Sequence, residues 1–350
     1  MEKQSRESKF ILHAYNVHQG GGKHLLLNLL HPKNFPFFKI VHLDQRLPFV
    51  ENLPSEVECI RVRPSLLSRF FCELKLFLSA KKDDLVLCFG SLPPLFPLSS
   101  KIILFVHNKY NISPEDHKFL KGRVRFQAWI ERIWFSLFSA NVDLFVVQTP
   151  TMKRDLISYL NKEVDVKVLN LFNPPFFSKK TKNLKNLNSK FIYVASGNPN
   201  KNHKNLIAAW ILLAKENIFP MLTLTLGDNY IELIKLIKMA NLELGAKIHN
   251  LGNTDYDQIV ELYSCSDVLI FPSVLESLGL PLLEAQHYGL DILAPEKDYV
   301  RDLVIPNETF DPSSPQSIAH SIKRYLGMPA TQAISCNGNQ FLQEISNHLV

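Results

Sequence analysis

The sequence predicts an α/β protein of two domains, each a parallel sheet with helices on both faces. Two observations predict it. Short apolar runs of strand length alternate with helix-periodic stretches along most of the chain, the pattern of repeated βα units. A Pro-, Lys- and Asn-rich stretch without periodicity, residues 171–190, divides the 350 residues into two halves of ordinary domain size. Each half therefore reads as Rossmann-like: a first domain at 1–170, a linker at 171–190, a second domain at 191–330 and a tail at 331–350.

Composition narrows the choice of function. With 46% hydrophobic and 21% charged residues the chain has ample core. The cysteines, Cys59, Cys72, Cys88, Cys265 and Cys336, are scattered and form no Cys-x-x-Cys pair. That argues against a disulfide framework or a zinc site and fits a reducing compartment. No apolar run approaches the roughly 20 residues that span a bilayer, and the start of the chain holds no signal-peptide core. A cytoplasmic protein is expected, with peripheral attachment to the inner face of the membrane left open. The net charge of +6 is uneven: residues 1–170 hold 24 Lys/Arg against 16 Asp/Glu, and residues 171–350 hold 15 against 17. A basic first half favours an anionic partner, though an ordinary solvated surface would look the same.

In the first half, Phe10–Tyr15 is the first expected strand. Gly20, Gly21 and Gly22 read as a turn, and Lys23–Leu30 as a helix start. Glycines let a backbone approach an oxyanion closely. The stretch is neither Gly-x-Gly-x-x-Gly nor a Walker loop, because His24 follows Lys23. Further strands are expected at Phe38–Leu43, Ile60–Val62, Asp84–Phe89, Ile102–Val106, Leu144–Thr149 and Val166–Leu169. Ile102–Val106 delivers His107 and Asn108 at its C-terminal end, where ligands sit in doubly wound sheets.

Helices are expected at 66–80, at 113–140 and from Pro150. Ser113–Asp116 offers an N-cap, a first-turn proline and two acids. Within 113–140, Lys118, Lys121, Arg125 and Arg132 fall along one stripe, while Phe126, Trp129, Ile130, Ile133 and Leu137 form an apolar one. Such a helix either packs its apolar stripe into the core or lies on an anionic membrane surface. Residues 68–82 leave the same two options.

The second half opens with the strand Phe191–Ala195. A polar turn, Ser196–Asn205, leads to a helix at 206–215. Lysines at a strand-to-helix turn can neutralise a diphosphate that faces the helix N-terminus; Lys201 and Lys204 both qualify. Strands at Leu222–Leu226 and Ile248–Leu251 and helices at 231–240 and 256–264 follow. Then comes VLIFPSVLESLGLPLLEAQHYG, residues 268–289. Val268–Phe271 is a strand, Glu276–Gly279 a loop, Pro281 suits a first helical turn and Gly289 ends the helix. Glu276 and Glu284 are separated by seven residues. A helix start favours an anion, and carboxylates beside it fit a polyhydroxylated ligand. Leu290–Ala294 is a strand, 317–322 a capped helix and 340–347 a last short helix.

Glu276-Ser-Leu-Gly-Leu-Pro-Leu-Leu-Glu284, set after an apolar strand, resembles the paired-glutamate signature of the family-4 retaining glycosyltransferases with the GT-B fold. The turn Asn198–Leu206 resembles their post-strand lysine element, with Ser196 or Asn198 where an arginine is usual. The resemblance covers most of residues 10–325 and is sharpest over 191–325. It implies transfer of a sugar from a nucleotide-diphosphate sugar to a glycan or glycolipid hydroxyl, with retention, in envelope polysaccharide or lipopolysaccharide synthesis. By the same resemblance, Glu284 grips the ribose hydroxyls and Glu276 a donor-sugar hydroxyl. Ser277, Leu278, Gly279 and one of Lys201 and Lys204 stabilise the leaving diphosphate. Gly21 and Gly22 face the diphosphate, His107 lies near the donor sugar, Asp298–Arg301 is a weaker contact, and the tail crosses back onto the first domain.

With no Asp-x-Asp cluster at a strand end, no metal or other cofactor is expected. Two other readings stand beside this one: a GT-B nucleotide-sugar 2-epimerase, and a non-catalytic binder of polyanions or membrane surfaces. Nucleic acid is not an expected partner, because paired carboxylates repel a phosphate backbone.

Overall fold

The computed structural model describes residues 10–48, 50, 53–113, 120, 122–171 and 189–328. Most of the expected linker, the expected tail with its helix at 340–347, and the helix cap at Pro114–Asp116 lie outside the described residues. The first domain runs β1 (Phe10–Ala14), α1 (Gly20–Leu29), β2 (Phe38–Asp44), β3 (Glu58–Val62), α2 (Leu66–Ser79), β4 (Leu85–Cys88), β5 (Lys101–Val106), α3 (Gly122–Phe138), β6 (Leu144–Val147), α4 (Pro150–Leu160) and β7 (Val166–Val168). Its strands pair in the order β3-β2-β1-β4-β5-β6-β7.

The second domain runs β8 (Lys190–Tyr193), α5 (His203–Lys215), β9 (Met221–Leu224), α6 (Ile231–Leu244), β10 (Ile248–Asn250), α7 (Tyr256–Cys265), β11 (Val268–Ile270), α8 (Leu280–Tyr288), β12 (Asp291–Pro295), α9 (Asp298–Arg301), β13 (Glu308–Phe310) and α10 (Pro315–Tyr325). Its strand order is β10-β9-β8-β11-β12-β13. All pairings are parallel, so both halves are Rossmann-like, as expected. The winding reverses between β1 and β4 and between β8 and β11, and the crevice beyond such a reversal is where ligands bind.

Three elements differ from the sequence reading. Gly20–Gly22 form the first turn of α1 instead of a turn before it. The helix expected at 113–140 is described from Gly122 to Phe138, after a short 3-10 helix, Lys109–Asn111, capped by the Asn108 side chain. The strand β13 was not anticipated, since its three residues carry too little pattern to announce it.

The second domain packs conventionally. Helix α5 turns Leu206, Ile207, Trp210 and Leu213 into the core, and α10 does the same with Ile318 and Ile322. Helix α2 is reversed. It buries Cys72, Glu73 and Leu76 and leaves Leu66, Leu67, Phe70, Phe71, Phe77 and Leu78 exposed. A buried carboxylate is tolerated only when paired. Glu73 Oε1 meets His13 Nε2 at 3.0 Å, and its Oε2 accepts the Leu95 N–H at 2.9 Å. His13 Nδ1 lies 2.8 Å from His42 Nδ1.

Burial opposes charge on His13, but the Glu73 carboxylate prevails and raises its pKa to about 9. Burial and the charge on His13 push His42 down. A charged His13 therefore donates to Glu73 and to a neutral His42. Cys72 also comes near the two histidines, a spacing that could hold a metal ion.

Helix α3 buries only Ala128 and Phe135. Among the described residues, no helix is long and apolar enough to cross a membrane.

Candidate active site

The domains face each other across a cavity of about 510 Å³. They are tied beside it where α4 meets α9: the Thr151 N–H donates to Asp302 Oδ2 at 2.8 Å and Arg154 pairs with Asp298 at 2.7 Å. Asp298 and Arg301 thus belong to the interdomain contact and a local pair with Glu296; neither lines the cavity.

Two helix N-termini enter the cavity from opposite domains. The start of α1 brings Gly21 and Gly22, and the start of α8 brings Ser277, Leu278 and Gly279. Gly279 adopts φ +86, a left-handed conformation that costs a side chain strain and that glycine adopts freely. A Cβ on Gly22 would come within 2.6 Å of His107 Nε2, so the close approach of α1 to β5 requires glycine there. Unpaired N–H groups and two positive dipole ends make this space favourable to an anion.

The tertiary structure places Lys201 and Lys204 differently. Pro199–Lys201 forms a 3-10 turn, and Asn202 at φ +62 reverses the chain into α5. This turn is clamped to the segment after β11. Asn200 Nδ2 donates to Leu275 O, the Val274 N–H and the Ser273 hydroxyl donate to Asn200 O, and Asn202 Nδ2 donates to Pro272 O. From below, Tyr193 OH donates to Lys201 O at 2.8 Å and Tyr299 OH to Ser273 O at 2.6 Å. Lys201 Nζ then reaches Glu276 Oε1 at 2.6 Å, with both side chains mostly buried and both lining the cavity. Lys204 sits exposed in the first turn of α5 and does not line it.

Glu284 lies one turn into α8. Its Oε2 accepts the Tyr263 hydroxyl at 2.9 Å, and burial pushes its carboxyl above the usual carboxylate range. A ligand hydroxyl donating to it would offset that desolvation. His107 is neutral, its pKa lowered to about 4 by burial. Ser91 Oγ accepts the His107 and Asn108 N–H groups, which leaves its own proton for His107 Nδ1 at 3.1 Å. The ring proton is therefore assigned to Nε2, beside Gly22, as a hydrogen-bond donor at the cavity. Ser196 and Asn198, at the usual arginine position, also line the cavity.

Sequence reasoning missed several contributors. Tyr193, Tyr263 and Tyr299 were not singled out, yet their hydroxyls hold the site. Gln148, at the end of β6, lines the cavity while buried, and its Nε2 has no partner among the described residues. A polar residue ending an otherwise apolar strand was the available signal. A second cavity of about 630 Å³ adjoins the first on the side of α3, sharing Gly22, His107, Asn108 and Asn198 with it.

Residues 176–338 match the model of the family described as glycosyl transferases, group 1. This part of the chain is thus similar to the group 1 glycosyl transferases. The match takes in β8 to α10 and every cavity residue the second domain contributes. A serotype-specific mannosyltransferase of Escherichia coli, WbdA, is 29% identical over 149 residues, covering 39% of this chain and 17% of its own length. The chain thus spans about a sixth of that curated relative.

Among solved structures, WaaG, a glycosyltransferase of lipopolysaccharide biosynthesis, superposes with a TM-score of 0.64 at 16% identity, over 92% of this chain and 90% of its own. HepE of Anabaena, solved with UDP and glucose, gives 0.64 at 15% identity, over 91% and 89%. Sucrose-phosphate synthase of Thermosynechococcus elongatus gives 0.66 at 16%, over 92% and 90%. These likenesses show the GT-B fold across both domains.

Proposed function

We propose that the chain transfers a sugar from a nucleotide-diphosphate sugar to an acceptor hydroxyl, with retention at the anomeric carbon, in envelope polysaccharide or lipopolysaccharide assembly. The observation that carries this reading is the Lys201–Glu276 pair and Glu284 lining one interdomain cavity with two helix N-termini. Glu284 accepts from the ribose hydroxyls. Lys201 and the amides at the start of α8 take up negative charge as the bond from the anomeric carbon to the diphosphate breaks. Glu276, engaged by Lys201, holds a donor-sugar hydroxyl, and His107 Nε2–H donates to the sugar or phosphate. The acceptor hydroxyl enters from the second cavity; its oxygen forms the new bond to the anomeric carbon and its proton passes to the departing diphosphate. The lysine and helix ends supply the charge stabilisation that a divalent metal would otherwise give. The mannosyltransferase relative and the WaaG likeness support the pathway.

The test is thermal unfolding with UDP, GDP, ADP and CDP, on wild type and Glu284→Ala. At about 100 times its Kd a nucleotide adds roughly 2.7 kcal/mol. One nucleotide that stabilises wild type and not the variant supports the donor site and names the base. Retention is then read from the anomeric configuration of the product by NMR. A sugar epimerised at C2, formed without acceptor, would replace transfer with epimerisation.

A further inference from the structure

Helices α2 and α3 each turn an apolar face outward. On α2, Leu67 and Phe71 are 73% and 62% exposed; on α3, Phe126 and Trp129 are 61% and 52% exposed. The proline-rich loop after β4 joins the two helices. Phe96 of that loop packs against the rings of Phe70 and Phe77, and Trp134 of α3 donates its Nε1–H to Pro93 O at 2.8 Å. Contiguous apolar area beyond a few hundred square ångströms is rare on a soluble monomer and marks a docking surface. The surroundings are basic: Arg63, Lys81 and Lys82 flank α2, and Arg123 and Arg125 lie on α3, all exposed, against the acids Asp83 and Glu131. Neither helix can span a membrane.

We propose that this face docks on an anionic bilayer, with the leucine and aromatic side chains at the acyl boundary and the cations among the headgroup phosphates. In-plane helices with an apolar face and basic flanks bind in this way. Charge complementarity selects anionic lipid over a neutral surface. Helix α3 also lines the second cavity with Val124 and Gln127. Docking therefore brings that cavity beside the headgroup layer, where a lipid-borne acceptor can enter. This last consequence rests on the sugar-transfer reading; the docking does not.

The test floats the full chain with vesicles of phosphatidylethanolamine and phosphatidylglycerol, and with vesicles of phosphatidylcholine alone. Wild type binds the anionic vesicles at least about tenfold more tightly, given about 1 kcal/mol per cation near the surface. The double variants Leu67→Ser/Phe71→Ser and Phe126→Ser/Trp129→Ser each weaken binding at least about tenfold, and unfold at the wild-type temperature. Arg123→Gln/Arg125→Gln weakens binding at low salt and flattens its salt dependence. Equal binding to both vesicle types, or apolar variants that bind as wild type does, would overturn the proposal. So would a concentration-dependent dimer that the same substitutions abolish, which would assign the face to a second copy.

Discussion

Trp210 on α5 is 1% exposed and donates its Nε1–H to Pro220 O at 2.9 Å, whereas Trp129 on α3 is 52% exposed. Both sit on helices flanking a parallel sheet. In the second domain the helices turn their apolar stripes onto the sheet, as a solvated α/β domain requires. In the first domain α2 and α3 turn theirs away, and the inward face of α2 is held by the Glu73–His13–His42 chain. A helix stripe thus identifies an interface, but it does not say whether that interface is the core or an outside partner.

The comparison breaks or sharpens first at the two tryptophans. Trp210→Ala should cost about 4 kcal/mol of stability, as expected for a buried aromatic, while Trp129→Ala should stay within about 0.5 kcal/mol. Thermal or urea unfolding measures both, and similar costs would mean that α3 packs against something in solution.

Glu73→Ala should cost about 3 kcal/mol or more, because it leaves a charged His13 buried without its partner. The pH dependence has a definite sign. The pKa of His13 is raised, so its contribution is fully present below about pH 6.5, its unfolded value, and is lost as pH rises through about 9. Burial raises the Glu73 carboxyl, but the charge on His13 and its hydrogen bonds prevail and lower it, so its share is present above the unfolded carboxylate pKa and is lost in acid. The first domain should melt progressively lower between pH 6.5 and 9, and His13→Gln should flatten that slope.

Glu284→Ala should weaken nucleotide binding by about 1.5–3 kcal/mol, the scale of hydrogen bonds to a charged group. Burial raises the Glu284 pKa and the ionised form accepts the ribose hydroxyls, so affinity should fall as pH drops toward that pKa. Titration calorimetry at several pH values would show it, and a flat profile would remove Glu284 from the nucleotide site.

Smaller effects are expected at two other positions. Lys201→Ala should lower turnover much more than Lys204→Ala, because only Lys201 lines the cavity. Gln148→Ala should cost about 1 kcal/mol of substrate binding with little change in stability, since its Nε2 has no partner to lose among the described residues. Steady-state kinetics with unfolding controls would separate these outcomes.

Much of the architecture is legible in the chain itself. Strand and helix periodicity, the loop between β11 and α8 and the spacing of Glu276 and Glu284 all depend on neighbours close in sequence. Local sterics and pattern decide such features, so the two domains and the paired carboxylates follow directly from the residues. What the sequence could not decide depends on partners far along the chain. Lys201 and Lys204 share one polar turn, and only the clamp between Asn200, Asn202 and residues 272–275 aims the first into the cleft. Nothing near Glu73 in the sequence announces its partner, because His13 lies 60 residues away. The outward face of α2 and α3 was likewise settled by what their other sides contact, because periodicity gives a stripe its position around the helix axis and packing alone gives it a direction.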